Sequence, residues 1–249
     1  MKICFIIPIY NHEHKLAALL NGLQKYNYPI YLIDDGSDTQ SQNKIDEIIN
    51  QFNAKYPKAH LVLIRLAQNQ GKGAAVMTGF VQAYAKGFSH AIQIDADFQH
   101  DINDVKKFVA LSKQNPNALI CGVPIYDETV PKGRLYPRYI THFWVWIHTL
   151  SFAIKDSMCG YRLYPLSTTC QLILQTKIAK RMNFDTDIIV RLKWRNVKII
   201  NCATKVTYHA DVPSNFRLFK DNIGISWMHT KLFFGMLLRL PILILQKFK

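Results

Sequence analysis

The sequence predicts an α/β fold with a mostly parallel sheet flanked by helices and a C-terminal amphipathic helical extension. Short, continuous apolar runs are typical of buried parallel strands, and four of them end in polar or glycine-rich residues. The C-terminal part of the chain is apolar and basic in composition. At 249 residues the chain suits one main domain, which we place at residues 1–210, followed by a tail at residues 211–249.

The first two apolar runs carry polar groups at their carboxyl ends. Residues 3–9 form the first predicted strand, which ends in the sequence PIYN (residues 8–11). Residues 30–33 form the second strand, which leads into DDGS (residues 34–37). Both strands therefore place hydrogen-bonding side chains at one edge of the predicted sheet.

The third run, residues 60–66, leads into the glycine-rich sequence NQGKGAA (residues 69–75), where a helix is predicted to begin. The first amides of that helix and the Lys72 side chain can meet an anion, although the spacing differs from that of a Walker loop. A tight loop with a solvated lysine is the alternative interpretation.

The fourth run, residues 91–94, leads into Asp95-Ala96-Asp97, with Gln99 two residues further on. Two carboxylates at this spacing can chelate one hard divalent cation, and Gln99 adds an oxygen donor. A solvated acidic turn is the alternative for an arbitrary pair of this kind. Ligands of open α/β sheets bind outside the carboxyl ends of the strands, so the four strand ends predict one shared crevice.

Five ordered motifs resemble those of the family 2 glycosyltransferases with a GT-A fold. The branch that they match is that of dolichol-phosphate mannose synthase and the bacterial polyprenyl-phosphate glycosyltransferases, over about residues 3–195. The resemblance implies an inverting, metal-dependent transfer of a sugar from a nucleotide diphosphate sugar to a membrane lipid acceptor, either a polyprenyl phosphate or a lipid-linked acceptor. The motifs are PIYN, DDGS, NQGKGAA, DADFQH (residues 95–100) and DSMCGYR (residues 156–162).

The resemblance also implies roles for residues on the donor side. Asp95, Asp97 and Gln99 are expected to bind a divalent metal, Mg²⁺ or Mn²⁺, on the diphosphate. His12 stands where the branch usually has glutamate, so the base of the donor stays open. The residues expected to bind the donor are Pro8, Tyr10, Asn11, Ile33, Asp35, Lys72, Asp95 and Ala96.

On the acceptor side the resemblance implies that Arg162 binds the acceptor phosphate or the leaving diphosphate, with Arg134 and Arg138 in support. For each arginine a surface salt bridge is the alternative. A lipid phosphate is already anionic and needs no strong base, whereas a hydroxyl acceptor would require Asp156 or Asp187 to take its proton. Asp185 and Asp187 both suit a helix N-terminus, and for Asp185 this structural role carries the same weight as a role in the site. Asp187 matches the acidic position of the family better.

The charge of the chain is unevenly distributed. From Lys177 onward there are 14 Lys/Arg against four Asp, out of a net charge of +14. This asymmetry predicts an anionic partner on the C-terminal side. We expect no nucleic acid partner, because the basic residues alternate with long apolar stretches and no nucleic-acid-binding motif is visible. Anionic lipid is the favoured partner.

Two apolar segments are predicted to contact the membrane surface. Residues 139–154 carry no charge and contain two tryptophans, but they are shorter than the roughly 20 residues of a spanning helix. An ordinary core helix is the alternative. In residues 227–245, Arg239 and Pro241 favour a helix that lies in the interface. Contact with an integral membrane protein or a second subunit is the alternative for this tail.

The cysteines and the N-terminus bear on the compartment. The five cysteines are scattered and contain no CxxC pair, which predicts free thiols in a reducing compartment. The chain starts directly with a predicted strand, so no secretory signal is expected. Together these features predict a cytoplasmic protein that is peripheral on the inner face of the cytoplasmic membrane.

Two other functions remain open from the sequence alone. One is a non-catalytic protein that binds nucleotide sugars or acts as a scaffold in a membrane glycan pathway. The other is a sugar nucleotidyltransferase, which would release pyrophosphate rather than a nucleoside diphosphate. Analysis of the products distinguishes the second from a glycosyltransferase.

Overall fold

A computed structural model describes residues 1–126, 132–207 and 218–247 of the chain, without the side chains of residues 126, 132–137 and 218. It confirms the predicted α/β fold, in which helices flank a mostly parallel sheet. The strands are β1 Ile3–Ile9, β2 Ile30–Asp34, β3 Leu61–Arg65, β4 His90–Gln93, β5 Leu119–Tyr126, β6 Arg162–Pro165 and β7 Ile199–Val206. The helices are α1 Leu16–Leu23, α2 Thr39–Lys55, α3 Lys72–Ala85, α4 Val105–Gln114, α5 Lys132–Thr149, α6 Leu166–Gln175, α7 Phe184–Trp194 and α8 Leu218–Leu245.

The sheet has the strand order β3-β2-β1-β4-β6-β5-β7. Strands β1 to β4 pair in parallel, and β5 pairs in parallel with β7. Strand β6 runs antiparallel to both of its neighbours, with Arg162 opposite Gln93. The first residue of β6 therefore lies beside the last residue of β4, which brings a distant stretch of chain to the edge where the parallel strands end.

Residues on the two faces of β1 enter different hydrophobic clusters. Cys4 and Ile6 belong to one cluster, and Phe5 and Ile7 belong to the other. Side chains of a strand alternate between faces, so a strand covered on both sides must be apolar throughout. This explains the continuous apolar runs of the sequence. The five cysteines are buried and unpaired, as predicted.

Helix α3 packs very closely on the sheet and on α7. A Cβ added at Gly79 would lie 2.6 Å from Cγ2 of Ile6, and one at Gly73 would lie 2.5 Å from Cβ of Phe184. Only glycine leaves room for such approaches. The first residue of the helix, Lys72, is thereby held at the carboxyl ends of the strands.

Three details differ from the sequence expectations. Strand β4 ends at Gln93, so the acidic motif lies in a turn beyond the strand rather than in an extended segment. Helix α5 ends at Thr149 rather than at residue 154, and Leu150 adopts a positive φ of 48°. Helix α8 begins at Leu218 and continues past Pro241. The predicted domain boundary at residue 210 falls outside the described residues and stays a prediction.

Helix α8 is buried on one face along its length. Met228, Leu232, Met236 and Leu243 are buried in the domain, whereas the opposite face is exposed and apolar. The segment Phe219–Leu245 is long and apolar enough to cross a membrane, with a mean hydropathy of 1.5 in its most apolar part. Its packing shows that α8 is also part of the folded domain.

A histidine pair joins α5 to α8. The Nε2 atom of His148 lies 3.0 Å from Nδ1 of His229, and Trp144 stacks on His148 at 5.8 Å between ring centroids. The indole N–H of Trp194 donates to the backbone oxygen of His148 at 2.8 Å. Burial lowers the pKa of both imidazoles to about 4, and for His148 the neighbouring imidazole adds to the effect. The pair is therefore neutral at pH 7.

The histidine pair predicts a pH dependence of stability. An unfolded histidine has a pKa of roughly 6.5, so the unfolded chain binds protons first as the pH falls. The contribution of the pair is fully present above pH ~6.5 and is lost as the pH falls toward about 4. His229→Asn removes one titrating group, and urea unfolding between pH 7 and pH 4.5 should show a smaller loss of stability than in the wild type. His14→Asn, at an exposed histidine, is the control. An unchanged pH dependence in His229→Asn would contradict the assignment.

Candidate active site

The loops that follow β1 and β2 are joined by hydrogen bonds. The backbone N–H of Asn11 donates to Oγ of Ser37 at 3.0 Å, and Oδ1 of Asn11 accepts from the backbone N–H of Asp38 at 2.9 Å. Asn11 has a φ of +47°, a conformation that asparagine tolerates better than most residues. Pro8 lies opposite Ile33 in the sheet. The expected donor residues of these two strands therefore lie at one edge of the sheet.

Asp35 holds the glycine-rich loop that precedes α3. Its buried carboxylate accepts from the backbone N–H groups of Gln70 and Gly71 at 2.8 Å each and from Nδ2 of Asn69 at 3.0 Å. Burial raises the pKa of Asp35 above its usual value, against the lowering effect of these bonds. Gly71 has a φ of +105°, which favours glycine. Asp35 thus fixes the position at which Lys72 begins α3.

The Lys72 ammonium bridges two carboxylates. Its Nζ lies 2.8 Å from Oδ2 of Asp95 and 3.0 Å from Oδ2 of Asp185. Oδ1 of Asp185 accepts from Nε2 of Gln93 at 2.9 Å. Burial alone would lower the pKa of Lys72, but the two carboxylates outweigh it and raise this pKa. For Asp185, burial is outweighed by the charges of Lys72 and Arg162, which lower its pKa.

Gly160 provides the space for this network. A Cβ at Gly160 would lie 2.7 Å from Nζ of Lys72, 2.9 Å from Nε2 of Gln93 and 3.1 Å from Oδ2 of Asp95. A larger residue would displace the ammonium. The glycine of the DSMCGYR motif therefore has a physical role next to the acidic motif.

The acidic motif leaves one buried oxygen without a hydrogen bond. Among the residues that the structure describes, Oδ1 of Asp95 has no hydrogen-bond partner, whereas Oδ1 of Asp97 accepts from the backbone N–H of Gln99 at 3.1 Å. Burial, and then the charge of Asp95, raises the pKa of Asp97. Buried acceptors are normally satisfied, so an open oxygen beside a second carboxylate fits a divalent cation.

The protein alone supplies an incomplete set of metal ligands. Among the described residues, no group of three His, Cys, Asp or Glu side chains is arranged to hold a metal ion. Mg²⁺ sites of nucleotide-binding proteins commonly use one or two carboxylates and complete their coordination with phosphate oxygens and water. The arrangement therefore suits a cation that arrives with a diphosphate, with Gln99 as the remaining predicted ligand.

Both carboxylate oxygens of Asp156, on the predicted acceptor side, already accept hydrogen bonds. Both of its oxygens accept from Arg138, Oδ2 from Nε at 2.6 Å and Oδ1 from an Nη at 2.8 Å. Oδ1 also accepts from the backbone N–H groups of Met158 and Cys159. This carboxylate is only 3% exposed. The structure therefore suits Asp156 to orienting Arg138 better than to taking a proton.

Asp187 and Arg162 are placed differently from the sequence expectation. Asp187 accepts from the backbone N–H of Ala179 at 2.7 Å and from Nε of Arg191 at 2.6 Å. Arg162 is 0% exposed and donates to the backbone oxygens of Asp185 at 2.6 Å and Ser157 at 2.7 Å. It has no surface with which to touch a phosphate, because it lies in β6 between two other strands. Arg162 instead supports the first turn of α7.

Asp185 is the site residue that the sequence analysis did not select. Asp185 and Asp187 both lie in the first turn of α7, and the family resemblance favours Asp187 as the site residue. Their side chains point about 200° apart around the helix, so only one faces α3. The packing of α7 on Gly73 decides that this is Asp185. The side chain of Arg134, the other predicted acceptor residue, is not among those that the structure describes.

Comparison with known proteins identifies relatives of this chain. The model of the family "Glycosyl transferase family 2" matches residues 4–181. A dolichyl-phosphate beta-glucosyltransferase of Dictyostelium discoideum is 27% identical over 221 residues, which cover 81% of this chain but only 65% of the relative. A UDP-N-acetylglucosamine–dolichyl-phosphate N-acetylglucosaminyltransferase of Methanococcus voltae is 26% identical over 216 residues, which cover 83% of this chain and 86% of the relative.

Solved structures show the same fold. The glucosyl-3-phosphoglycerate synthase of Mycobacterium tuberculosis, in complex with Mn²⁺, UDP and glucosyl-3-phosphoglycerate, superposes with a TM-score of 0.63. The match covers 95% of this chain and 78% of that protein at 12% identity. The expected GT-A fold is thereby confirmed. Since the family model matches well over half of the sequence, the chain belongs to glycosyl transferase family 2, a family of glycosyltransferase enzymes.

Proposed function

We propose that this protein transfers a glycosyl group from a nucleotide diphosphate sugar to a lipid phosphate acceptor at a membrane, with inversion at the anomeric carbon. The proposal rests on one observation: both predicted bases already form ion pairs with arginines. Asp156 pairs with Arg138, and Asp187 pairs with Arg191. An acceptor that needs no base, such as an anionic phosphate, fits this site better than a hydroxyl does.

The donor half of the site is built for a diphosphate. Asp95, through its open Oδ1, and Asp97 would hold a divalent cation with help from Gln99. When bound, such a cation neutralises charge that develops on the leaving diphosphate. Lys72 adds a positive charge at the same place, since its ammonium already touches Asp95. Tyr10 and Asn11, which keep some exposure at this edge, would contact the nucleoside. Pro8, Ile33 and Asp35 are buried, which corrects their expected direct role: they shape the edge from below.

Arg138 is the residue that we assign to the acceptor phosphate. Asp156 fixes its guanidinium in a bidentate pair, and its side chain keeps some exposure. Asp156, which holds Arg138, also accepts from the backbone N–H of Cys159. A Cβ at the next residue, Gly160, would lie 3.1 Å from Oδ2 of Asp95, so the turn that anchors Arg138 borders the acidic motif. A planar guanidinium held in this way suits a phosphate next to the donor site.

An apolar surface extends from Arg138 across α5 and α8. Ring centroids of Trp144 on α5 and Phe233 on α8 lie 6.3 Å apart, and Phe233 contacts Phe234 at 5.9 Å. We assign this surface to a membrane, on the inner face of the cytoplasmic membrane, because α8 carries three Lys/Arg (Lys220, Lys231 and Arg239) and one Asp, Asp221, which is buried. Its exposed apolar residues include Tyr139, Ile140, Phe143, Trp227, Phe234, Leu238 and Ile242.

The relatives support the acceptor class and leave the sugar open. The Dictyostelium and Methanococcus proteins both carry dolichyl phosphate in their names, but they differ in the sugar that they transfer. The helix α8 need not cross the bilayer for this function. One of its faces is covered by the domain, so it suits a position in the plane of the interface.

Asp97→Asn tests the metal-dependent step. We expect roughly a 100-fold loss of turnover, because the second carboxylate at the cation is removed. Turnover is measured with UDP-, GDP- and dTDP-sugars, polyprenyl phosphate and Mg²⁺ or Mn²⁺. Asp101→Asn, at a residue that caps the following turn, is the control. Failure of the wild type to transfer sugar from any of these donors would reject the proposed function, and unchanged turnover in Asp97→Asn would reject the metal assignment.

Asp156→Asn and Arg138→Lys test the acceptor assignment. Both changes break the bidentate pair, so we expect both to raise the KM for polyprenyl phosphate about tenfold and to leave the KM for the donor unchanged. If Asp156 were instead a general base, Asp156→Asn would lower kcat at saturating acceptor and remove a limb of the pH profile, whereas Arg138→Lys would not. Thermal unfolding checks that each variant is folded.

The double change Phe234→Ser and Leu238→Ser tests the membrane surface. These side chains are 60% and 83% exposed on α8. Burial of each in lipid contributes about 1.5–3 kcal/mol, so binding to anionic phosphatidylglycerol vesicles should fall at least roughly tenfold. Leu174→Ser is the matched control, because Leu174 is 77% exposed on α6. Equal vesicle binding by the double variant and the wild type would contradict the assignment.

A further inference from the structure

The Lys72 ammonium contacts two carboxylates that belong to different parts of the fold. Asp95 lies in the turn after β4, and Asp185 lies in the first turn of α7. The two N···O distances, 2.8 Å and 3.0 Å, are nearly equal. The ammonium therefore neutralises neither carboxylate completely.

The two carboxylate oxygens of Asp95 differ in their hydrogen bonding. Oδ2 accepts from Lys72, whereas Oδ1 is buried and has no hydrogen bond within the described part of the chain. An ammonium has three donors on a flexible stem and can contact both oxygens of one carboxylate when nothing else holds it. Another group must therefore hold the Lys72 ammonium beside Oδ2 of Asp95 and away from Oδ1.

Asp185 is itself rigidly held. Its Oδ1 accepts from Nε2 of Gln93, and its backbone oxygen accepts from the buried Arg162. The residue is 4% exposed. The carboxylate is thus a fixed anchor, and Gly160 leaves the ammonium only the space between this anchor and Asp95.

We propose that Asp185 is a positioning residue for metal binding, which holds the Lys72 ammonium on Oδ2 of Asp95 and so keeps Oδ1 open for a divalent cation. This inference rests on the metal role that the proposed function gives to Asp95 and Asp97. Asp185 acts through Lys72 and does not itself touch the cation. Residues that orient a ligand typically change metal affinity by 10–100-fold when they are replaced.

The first experiment measures the affinity for Mn²⁺ by electron paramagnetic resonance, both without nucleotide and with UDP or GDP present, and it needs no turnover. Asp185→Asn should bind Mn²⁺ about tenfold more weakly, because a neutral amide attracts the ammonium of Lys72 less strongly than a carboxylate does, so that the ammonium moves toward both oxygens of Asp95. Asp187→Asn is the matched control. It lies in the same turn, is similarly buried at 3% exposure and pairs with Arg191 rather than Lys72. Its Mn²⁺ affinity should equal that of the wild type.

A double-mutant cycle separates positioning from a purely structural role. In a Lys72→Met background no ammonium can compete for Asp95, so Asp185→Asn should have no further effect on Mn²⁺ affinity. A tenfold loss that persists in this background would overturn the inference. Lys72→Met alone should bind Mn²⁺ at least as well as the wild type, and weaker binding would also overturn it. The result for Lys72→Met alone keeps the test decisive if Asp185→Asn does not fold.

The outcome distinguishes the inference from the function on which it rests. If the wild type binds no Mn²⁺ even with UDP or GDP present, the proposed metal-dependent function fails. If the wild type binds Mn²⁺ and Asp185→Asn binds it equally well, only the role of Asp185 fails.

Discussion

The ammonium of Lys72 is the interaction on which the rest of the site depends. It joins the start of α3, the turn after β4 and the first turn of α7, which are far apart in sequence. Buried charges are tolerated only when they are paired, so this contact fixes the three elements relative to one another. The close packing of α3 on the sheet and the clamp of Asp35 on the preceding loop both serve to put Lys72 in this place.

Much of this arrangement follows from the sequence, because strand periodicity and strand-end motifs are local. The runs before PIYN, DDGS and NQGKGAA are strands, and DADFQH lies just beyond β4. The rule that parallel strands present ligands at their carboxyl ends then brings the motifs together. The end of α5 at Thr149 was harder to predict, because no glycine or proline directly follows it in the sequence.

The partners of buried charges were not predictable in the same way. The family resemblance favours Asp187 over Asp185, whereas the rotation of α7 against α3 turns Asp185 toward Lys72. Arg162 has the motif position of a ligand-binding residue, yet its place between two strands buries it. Asp156 looks like a base until its contact with Arg138 is known. Each of these outcomes depends on tertiary contacts that no local pattern encodes.

Strand β6 runs antiparallel to its neighbours, and the two sides of the candidate site come from different parts of the sequence. Residues before 100 supply the donor edge, whereas the turn before β6 and the helix α5 supply Asp156 and Arg138. These segments meet through backbone pairing of Gln93 with Arg162, which is independent of most side-chain identities. On the proposed assignment, substitutions in α5 and α8 change the acceptor preference while the donor side stays intact, which makes the two sides separable in protein engineering.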